Sequence, residues 1–331
     1  MRTRNIYGQR NRASLYLLDG LQIGDLTFRQ PYFTRLTRDN NIHEMLSDIA
    51  LAKGSERIGI LGHGIMPLLY WKFDLDNEKL ILFSNRDSAL IAKKTDGFTR
   101  IRNGIGSSLR GSLELGFPTI QESHNFHFDL GFNGEIEIDR RGFRKLSRQF
   151  PYRTVMVARS AGIDEMVYVF DNVDVNIGGI LVKNNQIVHS PRANFNIIGN
   201  RFTQRFNFIL AYGDHSRERQ GRRCGRYSDL YIKPVADFDN IESTPFVTSM
   251  GFRFANRGGM LIVQAIETGS AAETSGLQLR DEVISVDNGA YNLESHTRET
   301  LVAYIANRKS VVVKVKRGGD IIEIPISKGA N

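Results

Sequence analysis

Two stretches of this chain resemble two later stretches in the same order, and this internal repeat constrains the fold more than any other feature of the sequence. LQIGDLTF around Gly24 resembles VNIGGILV around Gly178, an offset of 154 residues (178 − 24). IGILGHGIMPLLYWKFDL around Gly62 resembles FNIIGNRFTQRFNFILAY around Gly199, an offset of 137 residues (199 − 62). A supersecondary pattern that recurs in order predicts two related lobes in one chain.

A predicted helix accounts for the difference of 17 residues between the two offsets (154 − 137). Apolar residues recur at helical spacing between Ile42 and Ala52. Elsewhere, short runs of Val, Ile, Leu, Phe and Tyr bounded by Gly, Asn and Asp indicate strands, so we expect a mainly β fold. The alternative is that short β segments resemble one another by chance.

The charge of the chain is positive but is not concentrated in a recognisable binding module. Hydrophobic residues make up 41% of the chain and the formal net charge is +8. Its densest basic run, Arg217–Arg226, lies between two strand-like segments and has no interleaved aromatic residues. We interpret this run as a solvated loop and expect no nucleic-acid partner.

The single cysteine and the scattered histidines indicate no metal site, and we expect no cofactor. Cys224 is the single cysteine, which rules out an intramolecular disulfide, and the seven histidines lack ligand spacing. No apolar run approaches transmembrane length. The N-terminal MRTRNIYGQRNR is basic but lacks the apolar core of a signal peptide, so localisation stays open.

In each predicted lobe, an Ile-Gly or Leu-Gly step precedes an aromatic-rich strand. This arrangement resembles the hydrophobic-hydrophobic-Gly element of pepsin-like and retropepsin-like aspartic proteases, and the resemblance covers most of Leu15 to Pro234. It implies a bilobed, barrel-like β unit that hydrolyses peptide bonds in a cleft between the lobes. It also implies that two aspartates share one proton there, so that one activates water and the other donates to the peptide carbonyl.

The stretch NFHFDLGFNGEIEI contains the residues that match the catalytic loop of that family. There each lobe has a strand ending in Asp-Thr/Ser-Gly, so the resemblance implies that Asp129 is the catalytic aspartate of the second lobe and that Gly131 completes the motif. Asp129 precedes Gly178 by 49 residues (178 − 129), which leaves room for a flap-like hairpin, YRTVMVARSAGIDEMVYVF. The alternative is an ordinary surface turn, since Asp and Gly are common turn residues.

Two departures from the family pattern bear on activity. Leu130 stands where the family has Thr or Ser, whose hydroxyl ties the two catalytic loops together. The same spacing carried back from Gly24 places the first-lobe aspartate about 25 residues before Met1 (24 − 49), so we expect the chain to begin inside the first lobe's flap hairpin. It could then be a fragment of an active enzyme, a non-catalytic relative, or a homodimer that pairs two copies of Asp129.

From about Phe246 the pattern changes and resembles a PDZ domain of the bacterial type. The segments that carry the resemblance are SMGFRF, GSAAETSGL and DEVISVDN, followed by a helix predicted over Thr297–Ala306 with Ser295 as a plausible N-cap. Arg280 stands where the family usually has Gly.

The PDZ resemblance implies a peptide-binding strand. An extended peptide or a protein C-terminus would add along this strand, and backbone amides would capture its carboxylate. The implied binding residues are consecutive: Met250, Gly251, Phe252, Arg253 and Phe254. The alternative is that Gly251 belongs to a plain turn at the start of a strand.

We therefore expect a partial first lobe over 1–90, a second lobe over 91–238 and a PDZ domain over 245–328. Two functional hypotheses follow from the resemblances. One is an aspartic-type endopeptidase acting on peptide or protein substrates, with its dyad incomplete in this chain. The other is a non-catalytic scaffold that binds peptides or protein C-termini. The resemblance to bacterial proteins of this organisation suggests the cell envelope, although the chain carries no export signal.

Overall fold

The computed structural model describes most of the chain. The described residues are 2–4, 10–17, 20–23, 26–29, 32–36, 69–84, 88–105, 113–159, 164–211, 228–257, 260–289 and 298–328. Several features singled out in the sequence lie outside them: the helix expected over Ile42–Ala52, Gly24, Gly62, Arg217–Arg226 with Cys224, and Ser295.

The described segments are mainly β, as expected. The strands β1–β22 are, in chain order, Arg2–Arg4, Arg10–Leu17, Gly20–Ile23, Leu26–Arg29, Tyr32–Leu36, Leu69–Asp74, Lys79–Ser84, Thr99–Ile105, Leu113–Phe117, Glu122–Phe128, Ile136–Glu137, Arg153–Ala158, Asp164–Ile177, Ile180–His189, Ile197–Ile198, Phe206–Ala211, Ser228–Pro234, Phe252–Arg257, Met260–Glu267, Glu282–Val286, Ser310–Arg317 and Asp320–Ser327. The helices α1–α5 are Ser88–Thr95, Arg140–Leu146, Asn200–Thr203, Ala271–Thr274 and Arg298–Ala306.

Six strands close into a barrel, in the order β13-β14-β11-β15-β10-β9 and back to β13. In β9, Leu113, Leu115 and Phe117 point into the core and Glu114 points outward, which is the period-2 pattern of a strand with one buried face. The 14-residue strand β13 changes register between Phe170 and Val173 and again before Val175. Such irregularities bend a strand, and β13 pairs with β12, β14 and β9 in turn.

A second sheet has the order β7-β6-β16-β17-β8 and packs on the barrel core. Every residue of its central strand β16 is buried. The rings of Phe73 on β6 and Phe208 on β16 stack with centroids 4.4 Å apart. The predicted hairpin FDLDNEKLILF and the predicted strand DLYIKP therefore belong to one sheet. The strands before residue 37 form two small sheets, β1-β2-β5 and β3-β4.

The last five strands, with α4 and α5, enclose a separate apolar core that includes Phe252, Val263 and Ile305. The helix predicted from Thr297 is described from Arg298 to Ala306. Strand β19 of this region also pairs with β12, so the barrel and the C-terminal region share one sheet. No helix in the described part of the chain is both long and apolar enough to cross a membrane.

Candidate functional site

The strand that leads to Asp129 is held by the segment before Gly199. Strands β10 and β15 run parallel, with His127 opposite Ile197. The Asp129 amide donates to the Ile198 carbonyl over 2.9 Å. Residues from two distant parts of the sequence therefore fix the position at which the Asp129 loop begins.

The Asp129 side chain organises its own loop. Its Oδ1 accepts a hydrogen bond from the Gly131 amide at 2.9 Å, and the Phe132 amide donates to the Asp129 carbonyl at 3.1 Å. This is the Asx-turn geometry that aspartate favours. The side chain is partly exposed, so the carboxylate is positioned by its loop and remains accessible to solvent.

Gly199 packs so tightly under this loop that a larger residue does not fit. A Cβ at this position would lie 2.3 Å from the Gly134 carbonyl oxygen and 2.5 Å from that of Phe132. The Gly199 amide donates to Glu135 O at 2.8 Å, and the Asn200 amide donates to Phe132 O at 2.9 Å. The repeated Ile-Gly step of the sequence thus lies directly against the loop that contains Asp129.

Leu130 is half buried and packs against the barrel core. The position that the resemblance assigns to a hydroxyl is therefore anchored by apolar contact. Among the described residues, no group of three or more His, Cys, Asp or Glu side chains could hold a metal ion.

A buried ion pair lies behind the loop, and the sequence did not reveal it. Arg205 is 1% exposed and Glu135 is 8% exposed, and the Arg205 Nη2 donates to Glu135 Oε1 at 3.1 Å. The other carboxylate oxygen accepts from the Gln186 amide at 3.0 Å and from the Ser243 hydroxyl at 2.8 Å. No local motif predicts this contact, because its members come from four separate segments.

The second candidate site is the groove between β18 and α5. Within the described residues the only strand that pairs with β18 is β19, and α5 lies near β18. On its other edge the Phe252 carbonyl accepts from the Thr248 amide at 2.9 Å, and the part of that edge beyond Phe252 has no strand partner among the described residues. Leu301 and Ile305 of α5 point into the core, and Tyr304 donates to Asp287 at 2.9 Å on one flank of the helix. Because successive helical residues are rotated by about 100°, Val302 lies on the flank opposite Tyr304, where it is half buried.

The five predicted binding residues Met250–Phe254 enter β18 through a tight turn. Gly251 has φ +86°, and its amide donates to the Thr248 carbonyl at 2.8 Å. A Cβ on Gly251 would lie 2.1 Å from the Cβ of Ser270. Both the backbone conformation and the packing therefore require glycine here.

The side chains of these residues are already engaged within the protein. Met250, Phe252 and Phe254 belong to the C-terminal core. The Arg253 guanidinium lies over the Phe246 ring, 4.1 Å from its centroid. A ligand at this strand would therefore meet mainly its backbone.

The family model for the PDZ domain matches residues 248–327, which are 80 of the 331 residues (327 − 248 + 1). This match confirms the predicted PDZ domain and gives the C-terminal part of the chain the capacity to bind peptides or proteins. A search of curated proteins found no match. The aspartic-protease resemblance and the bounds 1–90 and 91–238 gain no support from these comparisons and stay predictions.

Proposed function

We propose that this chain binds an extended peptide along the free edge of β18, beside α5. The observation that carries the proposal is the edge of β18 beyond Phe252, which has no strand partner among the described residues and lies in a region that matches the PDZ family. A peptide there adds one antiparallel strand, so its backbone supplies most of the affinity and its side chains contact the helix.

The turn that precedes β18 affects which peptides fit. The Gly251 amide is occupied by the Thr248 carbonyl, and the Met250 carbonyl accepts from the Ala272 amide at 3.0 Å. The Gly251 donor is therefore not directed at a ligand carboxylate. We expect extended segments paired along β18 to contribute more than a terminal carboxylate does.

Selection from displayed random decapeptides, with free and with blocked C-termini, tests the binding function. Affinities of selected peptides are then measured by fluorescence anisotropy. We place the peptide against the α5 flank that carries Val302, so Val302→Glu should weaken binding at least about ten-fold by adding a charge there. Ala303→Glu, at the exposed neighbouring position, serves as the matched control and should leave the affinity unchanged. Equal effects of the two variants would contradict this placement of the groove.

A second candidate function is aspartic-type peptide hydrolysis with Asp129 as one of two carboxylates. It is supported by the loop geometry, in which the Asp129 amide is bonded to Ile198 and Gly199 packs against the same loop. One carboxylate cannot both activate water and protonate the carbonyl, so the reaction needs a second aspartate. That group would come from sequence upstream of Met1 or from a second copy of the chain.

Cleavage of denatured protein at acidic pH, by a chain extended with its upstream coding sequence, tests this candidate. Asp129→Asn should abolish cleavage, and pepstatin should inhibit it. Sedimentation at the assay concentration distinguishes a dimer with two Asp129 loops from a monomer. An extended chain that is inactive, or whose activity survives Asp129→Asn, would exclude hydrolysis and leave peptide binding unaffected.

A further inference from the structure

A strand of the PDZ domain covers the edge of the barrel's long hairpin. This hairpin consists of β12 and β13 and corresponds to the predicted flap-like segment. Strand β12 pairs with β13 on one side and antiparallel with β19 on the other, with Val157 opposite Ala265 and Val155 opposite Glu267. The Thr268 amide extends the pairing by donating to the Thr154 carbonyl at 3.0 Å.

Two ion pairs span the same junction. Arg153 on β12 lies 2.5 Å from Glu267 on β19, while its Nε lies 2.7 Å from Asp171 on β13. Arg280, in the turn before β20, lies 2.5 Å from Asp164 at the start of β13. Both strands of the hairpin therefore contact the PDZ domain through charged side chains.

A small apolar cluster fills the space between the two parts. The cluster contains Ala265 of β19 and Val247 of the segment before β18, and both are buried. From the hairpin it contains four buried valines: Val155, Val157, Val167 and Val169. A buried apolar contact combined with strand pairing resists hinge motion more than either feature alone.

Arg280 occupies a backbone conformation that favours glycine. Its φ is +70°, which is strained for any residue that has a Cβ. A glycine there would relax the turn but could not reach Asp164. Arg280, which stands where the PDZ family usually has Gly, is thus the residue that joins this turn to the hairpin.

We propose that peptide binding in the PDZ groove stabilises the β12–β13 hairpin through this junction. The bound peptide, β18, β19, β12 and β13 would be five consecutive strands of one sheet. A strand added at β18 orders β18 and β19, and β19 is the direct partner of β12. The inference rests on the proposed peptide-binding function, and by linkage the hairpin contacts must in turn raise peptide affinity.

Hydrogen exchange of the β12 and β13 amides, measured with and without a saturating selected peptide, tests the coupling. We expect exchange in the hairpin to slow about five-fold or more. Asp164→Asn lies outside the groove, so a two- to five-fold loss of peptide affinity in that variant would report the reciprocal effect of one partly exposed ion pair.

Arg280→Gly and Glu323→Gln complete the design. Arg280→Gly removes the ion pair between Arg280 and Asp164 and also relieves backbone strain in the PDZ domain. Like Asp164→Asn, it should speed hydrogen exchange in the hairpin. Glu323→Gln removes the exposed ion pair between Glu323 on β22 and Lys314 on β21, away from the junction. It should change neither the peptide affinity nor the hydrogen exchange of the hairpin.

If a selected peptide binds but hairpin exchange does not change, the coupling is wrong and peptide binding stands. If no peptide is selected, the proposed binding function fails, and the coupling fails with it.

Discussion

Lys72 on β6 lies directly opposite Ile209 on β16, and the two residues are separated by 137 positions (209 − 72), the same offset as Gly62 and Gly199 (199 − 62). Trp71 accordingly faces Leu210, and Phe73 faces Phe208. Lys72 and Ile209 thus occupy equivalent positions of the internal repeat and face each other across two antiparallel strands. A two-fold axis between two similar halves would produce this register. This register supports the proposal that two related lobes meet at this sheet.

Replacing Gly199 by alanine should disrupt the Asp129 loop. The new Cβ would overlap two backbone oxygens, which cannot rotate away as a side chain would, and we expect a loss of about 3 kcal/mol in unfolding free energy. Trp71 is the single tryptophan and is 2% exposed, so its fluorescence during urea unfolding reports on the barrel. Gly116→Ala is the control, because its Cβ would meet its nearest neighbour at an ordinary 3.6 Å. Equal midpoints for the two variants would contradict the tight packing.

Breaking the Glu135–Arg205 pair on one side should destabilise the barrel strongly. Arg205→Met leaves the Glu135 carboxylate buried without its cation, which costs about 3–5 kcal/mol. The double variant Glu135→Gln/Arg205→Met should lose less than the sum of the two single changes, since neither charge is then left unpaired. Additive losses in urea unfolding would show that the pair does not act as a unit.

Glu137 should make stability fall as the pH rises. Burial raises the pKa of Glu137 to about 7; the nearby Arg159 acts to lower this pKa and Glu165 acts to raise it. Below its ordinary pKa of 4.5 the Glu137 carboxyl is protonated in both the folded and the unfolded state. Between 4.5 and about 7 only the unfolded state ionises, so about 3 kcal/mol is lost over this range.

The variant Glu137→Gln isolates this effect. The difference in unfolding free energy between Glu137→Gln and the unmodified protein should grow from pH 4.5 to pH 7 and then level off. Burial lowers the pKa of His189, which weakens the fold as the pH falls, but His189 is common to both proteins and cancels in the difference. A difference that does not vary with pH would contradict the elevated pKa.

Gly251→Ala should destabilise the PDZ domain and abolish peptide binding. It combines a positive φ with a collision against Ser270. Gly276→Ala is a matched control, because its φ is also positive, at +84°, but nothing lies within 4 Å of its Cβ. We expect a loss of about 1 kcal/mol for Gly276→Ala from backbone strain alone and about 3 kcal/mol for Gly251→Ala. Thermal unfolding by circular dichroism compares them.

Local patterns were sufficient to predict several elements. The aspartic-protease resemblance implied a flap-like hairpin where β12 and β13 lie, and the PDZ resemblance of SMGFRF implied a binding strand where β18 begins. The short strands themselves were predicted from apolar runs bounded by turn residues, because these patterns act over a few residues. The sequence did not identify Glu137 as a titrating group, because burial raises its pKa and the strands paired with it, β14 and β15, are distant in the sequence.

The sequence was enough to predict the mainly β fold, from its short apolar runs, and the PDZ domain, from its resemblance to that family. The close approaches that require glycine come from folding, since a Cβ on Gly199 would meet Phe132 and Gly134 and one on Gly251 would meet Ser270. Folding also brings Arg205 to Glu135, Arg280 to Asp164 and β19 to β12, and no sequence pattern predicted these three contacts. These contacts join residues from 70 to more than 100 positions apart (205 − 135; 280 − 164; 265 − 157). They form only when folded surfaces meet, and no periodicity within either segment encodes that meeting.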